Sequence, residues 1–183
     1  SSVEHVGIMA VGLGLGKGAL FGVLFHLINN GLTKGVLFLA SGNIHRSYGG
    51  KTTEIVQGAL TRLPWSGGLF LAGFIAVTGS PPFAPFVSEF SIVSNAFKDQ
   101  QYWIGGLFLL FLAIIFIGMA LTVLPMVMGV PRSDLEPSSY HDRALTVGPP
   151  LLTMLLLLWL GVWPPEQLLQ LLRDGAALLE VRS

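Results

Sequence analysis

Long apolar runs separated by short polar segments make up most of this sequence. A run of about 20 apolar residues crosses the hydrocarbon core of a bilayer as one helix. The pattern therefore predicts an all-α, polytopic transmembrane helix bundle of about five spans. The expected spans are residues 1–16, 18–44, 64–97, 102–130 and 145–163. In residues 164–183, leucines recur at near-helical spacing among charged side chains, which predicts an amphipathic interfacial tail.

The third expected span, residues 64–97, contains an interruption. This run is longer than one straight crossing needs, and the stretch "GSPPFAPF" lies in its middle, at residues 79–86. Proline lacks an amide donor and its ring clashes with the preceding helical turn, so a helix breaks there. We expect the break to involve Gly79, Ser80, Pro81, Pro82 and Pro85.

Composition and charge agree with a membrane protein. Hydrophobic residues make up 52% of the 183 residues and charged residues only 11%, well below the usual quarter. Ten basic residues balance ten acidic ones, which removes any case for nucleic acid as a partner. The chain has no cysteine, so neither a disulfide nor a thiolate metal site is available.

The distribution of Lys and Arg between the loops predicts their orientation. The loops at residues 45–63 and 131–144 lie on one side of the expected bundle and together carry five basic residues. The loops of the other side carry only Lys17 and Lys98. Cytoplasmic loops are enriched in Lys and Arg, so we expect residues 45–63 and 131–144 to be cytoplasmic.

A polar stripe lies inside the second expected span. His26, Asn30 and Lys34 are spaced four residues apart, which places them on one side of a helix. A lysine at membrane depth costs about 2.5 to 3.5 kcal/mol on insertion scales, so it requires protein or water around it. The stripe is either a structural contact between helices or a proton relay in which histidine titrates near neutrality. Metal binding is not expected, because His26 has no second soft ligand three or four residues away.

Acidic residues provide two further candidate sites. Glu89 is the only formal charge between Arg62 and Lys98 and directly follows the expected break, so it is either a counter-ion or a titratable gate. Irregular backbone at membrane depth is tolerated where it lines a cavity or is covered by protein. Glu4 and His5 either continue a hydrophilic path or face water.

Three stretches, "SSVEHVGIMAVGLG", "HLINNGLTKGVLFLASG" and "GSPPFAPFVSEFSIV", follow one another in the chain. In this order they resemble the second half of the antiporter-like membrane subunits of respiratory complex I, energy-converting nickel-iron hydrogenases and multisubunit cation/proton antiporters. The sequence is most similar to the large membrane subunit of formate-hydrogenlyase-type hydrogenases. The resemblance covers nearly the whole chain.

The resemblance implies roles for the candidate residues. Lys34 matches the central lysine of the family, His26 the histidine before it, and Glu89 the terminal titratable residue on the broken helix. Asn30 stands where a second histidine is often found, so it either passes protons or only orients water. Glu4 and His5 lie in the first resembling stretch.

The implied function is that of a proton-translocating subunit in a redox-driven ion pump. The subunit would hold no redox centre, metal or cofactor, and would serve an oxidoreductase complex of the NADH-quinone oxidoreductase or membrane-bound hydrogenase type. Its expected partners are other antiporter-like membrane subunits and a peripheral arm with iron-sulfur proteins, in a bacterial or archaeal plasma membrane. The half-channel of the family's first repeat is not in this sequence, so we do not expect this chain alone to be a complete pump.

Two other functions remain open from the sequence. One is a stand-alone Na+/H+ antiporter subunit, because Glu89, Ser80 and backbone carbonyls at the break offer oxygen ligands for sodium. The other is a structural membrane anchor in which buried ion pairs only fix the register of the helices.

Overall fold

The protein is almost entirely helical in a computed structural model that describes residues 2–50, 52–53, 55–130 and 139–182, with the backbone alone for residues 17, 181 and 182. Within these residues there are helices and turns but no strand, which confirms the predicted all-α class. Lys51, Glu54 and most of the expected 131–144 loop lie outside the described residues. The helices are α1 (Ser2–Leu15), α2 (Leu20–Tyr48), α3 (Ala59–Arg62), α4 (Pro64–Val77), α5 (Ala84–Lys98), α6 (Tyr102–Met128), α7 (Ala144–Val162) and α8 (Glu166–Arg182).

Three of these helices, α2, α6 and α7, are long and apolar enough to cross a membrane. Helices α1 and α4 are apolar but shorter. Most large side chains of α6 are exposed, as expected for a helix that contacts lipid or an apolar surface of another protein. The expected crossings at residues 1–16 and 64–97 therefore stay predictions, whereas the polytopic character of the chain is confirmed.

The break after α4 is confirmed. Helix α4 ends at Val77 and α5 begins at Ala84, so the interruption includes the Gly-Ser-Pro-Pro stretch. Gly79 adopts a φ of 65°, in the left-handed region that glycine enters without steric cost. Pro85 does not belong to the interruption, contrary to the expectation from the sequence, but lies in the first turn of α5. A proline is tolerated there because first-turn amides have no helical acceptor.

The chain forms two compact units, and the first contains Ser1–Gly31, Ala76–Ile115 and Leu157–Ser183. Its apolar core comes from α1, the first half of α2, α5 and α6. The buried core residues are Ile8, Leu15, Ala19, Val23, Ile92, Val93, Ala96 and Phe108. Gly22 lets α2 approach α5 closely, because a Cβ there would lie 2.9 Å from the Ile92 side chain and 3.1 Å from the Ser88 carbonyl oxygen.

The second unit contains Leu32–Ile75 and Phe116–Leu156. A partly buried polar network holds its connecting segment to α4. The Asp142 carboxylate accepts hydrogen bonds from the backbone amides of Trp65 and Ser66, at 2.9 and 3.2 Å, and from the Ser66 hydroxyl at 2.5 Å. Asn43 donates to the Ser66 hydroxyl oxygen and accepts from the Tyr140 hydroxyl. A side chain from a distant segment therefore caps the start of α4.

Asp142→Ala in the full-length subunit should destabilise the protein by up to about 2 kcal/mol, because the first-turn amides of α4 lose their acceptor. The measurement is equilibrium unfolding in detergent. Asp174→Asn is the control, since Asp174 is exposed on α8. Equal stability of the two variants would contradict the capping role.

Candidate functional site

Two buried histidines meet in the first unit, one from α1 and one from α2. Nδ1 of His5 lies 2.9 Å from Nε2 of His26, and the ring centroids are 5.0 Å apart. Both side chains are fully buried, with 0% exposed surface. Two imidazoles joined directly inside an apolar core form a hydrogen bond that water does not weaken.

Ser88 on α5 extends this contact into a chain of hydrogen bonds. The Ser88 hydroxyl lies 2.9 Å from Nδ1 of His26 and donates its hydrogen to the carbonyl oxygen of Pro85, at 2.8 Å. A hydroxyl has one hydrogen, so Nδ1 of His26 must be the donor to Ser88. In the neutral ring Nε2 of His26 then carries a lone pair and accepts from Nδ1–H of His5. We assign these tautomers from the hydrogen-bond geometry.

Glu89 places a carboxylate beside the histidine pair. One of its oxygens and one ring nitrogen from each of His5 and His26 lie within 4.8 Å of one another. Glu89 is 5% exposed, and its buried Oε1 has no hydrogen-bond partner among the described residues. The missing side chain of Gly79 makes room for this carboxylate, because a Cβ there would overlap Glu89 Oε2. Two bases and one acid therefore converge at the end of the break.

The two asparagines of the polar stripe differ in their surroundings. The Asn29 amide donates to the carbonyl oxygen of Ala84, at 3.1 Å, and so ties α2 to the first residue of α5. Asn30 is buried, and its Oδ1 has no hydrogen-bond partner in the part of the chain that the structure describes. A water molecule beside such a buried amide oxygen would donate a hydrogen bond to it.

Lys34 and Glu4 belong to different units of the chain. Lys34 is half-buried on α2, two turns after His26, and belongs to the second unit. Glu4 is half-buried on α1, next to His5, and its Oε2 is buried with no hydrogen-bond partner among the described residues. The first unit thus brings together His5, His26 and Glu89 with Glu4 at their side.

The sequence did not point to Ser88 as a member of this site. Ser88 directly precedes Glu89 and lies three residues after Pro85, so a hydroxyl beside the one acid of an apolar run was the available signal. The sequence argument against metal binding applies only to ligands on the same helix as His26. The second imidazole comes instead from α1, 21 residues earlier in the chain.

Residues 1–118 match the NADH:quinone oxidoreductase/Mrp antiporter transmembrane family. The chain belongs to this family. The resemblance drawn from the three sequence stretches is thereby confirmed. Members of this family are membrane-embedded, and together with the apolar helices α2, α6 and α7 this identifies the chain as an integral membrane protein.

Relatives within the antiporter family come from several kinds of complex. The Hydrogenase-4 component F homolog of Methylacidiphilum infernorum is 29% identical over 182 residues, which cover 98% of this chain and 37% of that protein. Hydrogenase-4 component B of Escherichia coli is 32% identical over 54% of this chain and 16% of its own length. A Na(+)/H(+) antiporter subunit of Alkalihalophilus pseudofirmus is 30% identical over 57% of this chain and 21% of its own. The chain thus spans between 16% and 37% of the length of these three relatives.

The fold agrees with that of a solved antiporter complex. A chain in the structure of the Mrp complex from Dietzia sp. DQ12-45-1b superposes with a TM-score of 0.84 at 21% identity. The match covers 96% of this chain and 41% of the other. The helical arrangement described above is therefore that of an antiporter-family subunit.

Ser88→Ala should shift the neutral His26 ring from a pure Nδ1–H tautomer toward a mixture, because Nδ1 loses its acceptor. Nitrogen-15 solid-state NMR of histidine-labelled protein reports the two ring nitrogens separately. Ser94→Ala, on the same helix, is the control and should leave the His26 signals unchanged. An unaltered His26 spectrum in Ser88→Ala would contradict the assigned hydrogen-bond direction.

Proposed function

We propose that the chain is the C-terminal part of a proton-translocating membrane subunit in a redox-driven ion pump. The observation that carries this proposal is the buried chain His5–His26–Ser88 with the Glu89 carboxylate at its side. Titratable side chains at membrane depth are costly and serve ion pathways or proton relays when they face the interior of a bundle. A purely apolar contact between α1, α2 and α5 would not need three such groups.

In the proposed path His26 alternates between neutral imidazole and imidazolium. Nδ1–H of His5 supplies a proton to Nε2 of His26, whose lone pair faces it. Ser88 keeps the other nitrogen protonated throughout, so the ring does not need to turn. The carboxylate of Glu89 then accepts the proton from His26, through a small side-chain movement or one bridging water.

Glu4, Asn30 and Lys34 extend the proposed path beyond these residues. Glu4 exchanges protons with His5 at the α1 end. Asn30 orients water rather than passing protons, because an amide does not titrate. Lys34 is the central relay. Its half-buried position on α2 supports this role, as does the spacing of four residues from Asn30.

The interruption between α4 and α5 supports a hydrated outer half of the path. Backbone groups that leave the helix at membrane depth need water or protein as hydrogen-bond partners. Gly79, Ser80, Pro81 and Pro82 provide such backbone beside Glu89. Half-helix ends beside a titratable group occur where transport proteins bind their ions.

We further propose the setting in which this subunit works. Its partners are other antiporter-like membrane subunits and a peripheral arm with iron-sulfur proteins, so that redox chemistry takes place outside this chain. The hydrogenase component names of two relatives support this assignment. The membrane is the plasma membrane of a bacterium or archaeon, with the loops at residues 45–63 and 131–144 on the cytoplasmic side.

His26→Gln, Lys34→Met and Glu89→Gln should each reduce redox-driven proton transport by at least about tenfold, because each removes a titratable group from the path. Transport is measured with the full-length subunit in its parent complex, reconstituted into liposomes. Lys98→Met is the control, since Lys98 is exposed at the end of α5.

Three results would reject the proton path. Full transport by all three variants would exclude these residues as relays. Loss of assembly in all three would instead favour the structural anchor. Transport that requires sodium in the wild type would favour a Na+/H+ antiporter.

Single-cysteine labelling tests the proposed sidedness. The chain contains no cysteine, so Thr52→Cys and Asp99→Cys each add one exposed thiol to it. A membrane-impermeant thiol reagent should label Thr52→Cys in inverted vesicles and Asp99→Cys in right-side-out cells. The reverse pattern would contradict the orientation.

A further inference from the structure

We infer that His5, His26 and Glu89 form a binding site for Zn2+. The three side chains come from α1, α2 and α5 and are all buried. Binding needs only their positions and does not rest on the proposed function. The consequence for transport does rest on it, because the same three side chains lie on the proposed proton path.

The distances fit a small tetrahedral ion. Zinc binds imidazole nitrogen at about 2.0 to 2.1 Å, so two ligands on a tetrahedral zinc are about 3.3 Å apart. Nδ1 of His5 and Nε2 of His26 are 2.9 Å apart, and all three ligand atoms lie within 4.8 Å of one another. Side-chain rotations that move the ligand atoms by about 1 to 2 Å would bring all three within bonding distance of one ion. The fourth position is left for a water molecule.

The chemistry of the ligands also selects zinc. Two neutral imidazoles and one carboxylate are a set found at zinc sites, whereas calcium and magnesium require mainly oxygen ligands. The Glu89 Oε1 atom is buried without a hydrogen-bond partner among the described residues, so it is available to a cation. The three ligands come from helices that pack against one another, so only their side chains need to move.

The hydrogen bond to Ser88 prepares His26 for a metal. A metal-binding histidine donates its other ring N–H to an acceptor, which fixes the tautomer and the orientation of the ring. Nδ1–H of His26 donates to Ser88, so the lone pair is on Nε2, the nitrogen that faces His5. Zinc would take the place of the proton that lies between the two rings. Its binding therefore releases protons and weakens as pH falls.

The charge around the site favours a cation. Glu4 directly precedes His5 on α1, so a second acidic side chain neighbours one of the ligands. Among the described residues of the first unit, no lysine or arginine is paired with Glu89. Zn2+ would displace the proton of the buried Glu89 carboxyl and supply the positive charge that its carboxylate needs inside an apolar core.

X-ray absorption at the zinc edge tests the site directly. The purified parent complex with the full-length subunit is incubated with equimolar Zn2+, and the difference spectrum between wild type and His26→Gln isolates this site from other metals. We expect two imidazoles in that difference. We also expect Zn2+ affinity to fall by roughly tenfold or more in His26→Gln and His5→Gln. His141→Gln is the control, because His141 is exposed.

The outcomes separate the metal site from the proton path. Equal zinc binding by wild type, His26→Gln and His5→Gln overturns the site, as does a wild-type spectrum without imidazole ligands at this position. Zinc bound through His26 with no effect on proton transport keeps the site and rejects the path. Transport that depends on His26 in a protein that binds no zinc keeps the path and rejects the site.

Discussion

The buried polar groups of the first unit must find their partners inside the protein, and the arrangement of its helices follows from this requirement. His5 and His26 satisfy one another, Ser88 accepts from His26, and Pro85 accepts from Ser88. The first bond joins α1 to α2, the second joins α2 to α5, and the third lies within α5. The polar chain therefore specifies how three apolar helices pack, which apolar contacts alone define less precisely.

Two glycines allow the helices to come close enough for this chain to form. Gly22 brings α2 against the Ser88 turn of α5, and Gly79 leaves space for the Glu89 carboxylate. The geometry of the site thus depends on the small size of these two glycines as well as on the titratable side chains. Because Glu89 lies next to the break, backbone groups near it are not engaged in helical hydrogen bonds.

Local sequence signals predicted the helical class and the break, because hydrophobic runs and proline act on the nearest residues. The family was inferred instead from the resemblance of three sequence stretches to known subunits. The prediction for Pro85 is wrong because sequence does not tell a first-turn proline from a helix-breaking one. The contacts of His26 with His5 and Ser88 span 21 and 62 residues of sequence, and no local pattern encodes such separations. The pathway roles of all the candidate residues stay predictions, since their function depends on surroundings beyond a single helix; these residues are Glu4, His5, His26, Asn30, Lys34 and Glu89.

The direction of the hydrogen bonds from His5 to Ser88 determines which histidine ring must turn after each proton transfer. After one proton has passed along the proposed path, His26 returns to its starting form because Ser88 never releases its Nδ1–H. His5 does not: it ends with the hydrogen on the opposite nitrogen and must turn over before the next proton. Its ring has no exposed surface, so that rotation requires the neighbouring helices to separate briefly. Each turnover along the proposed path would then include a rotation of the His5 ring in addition to the proton transfers.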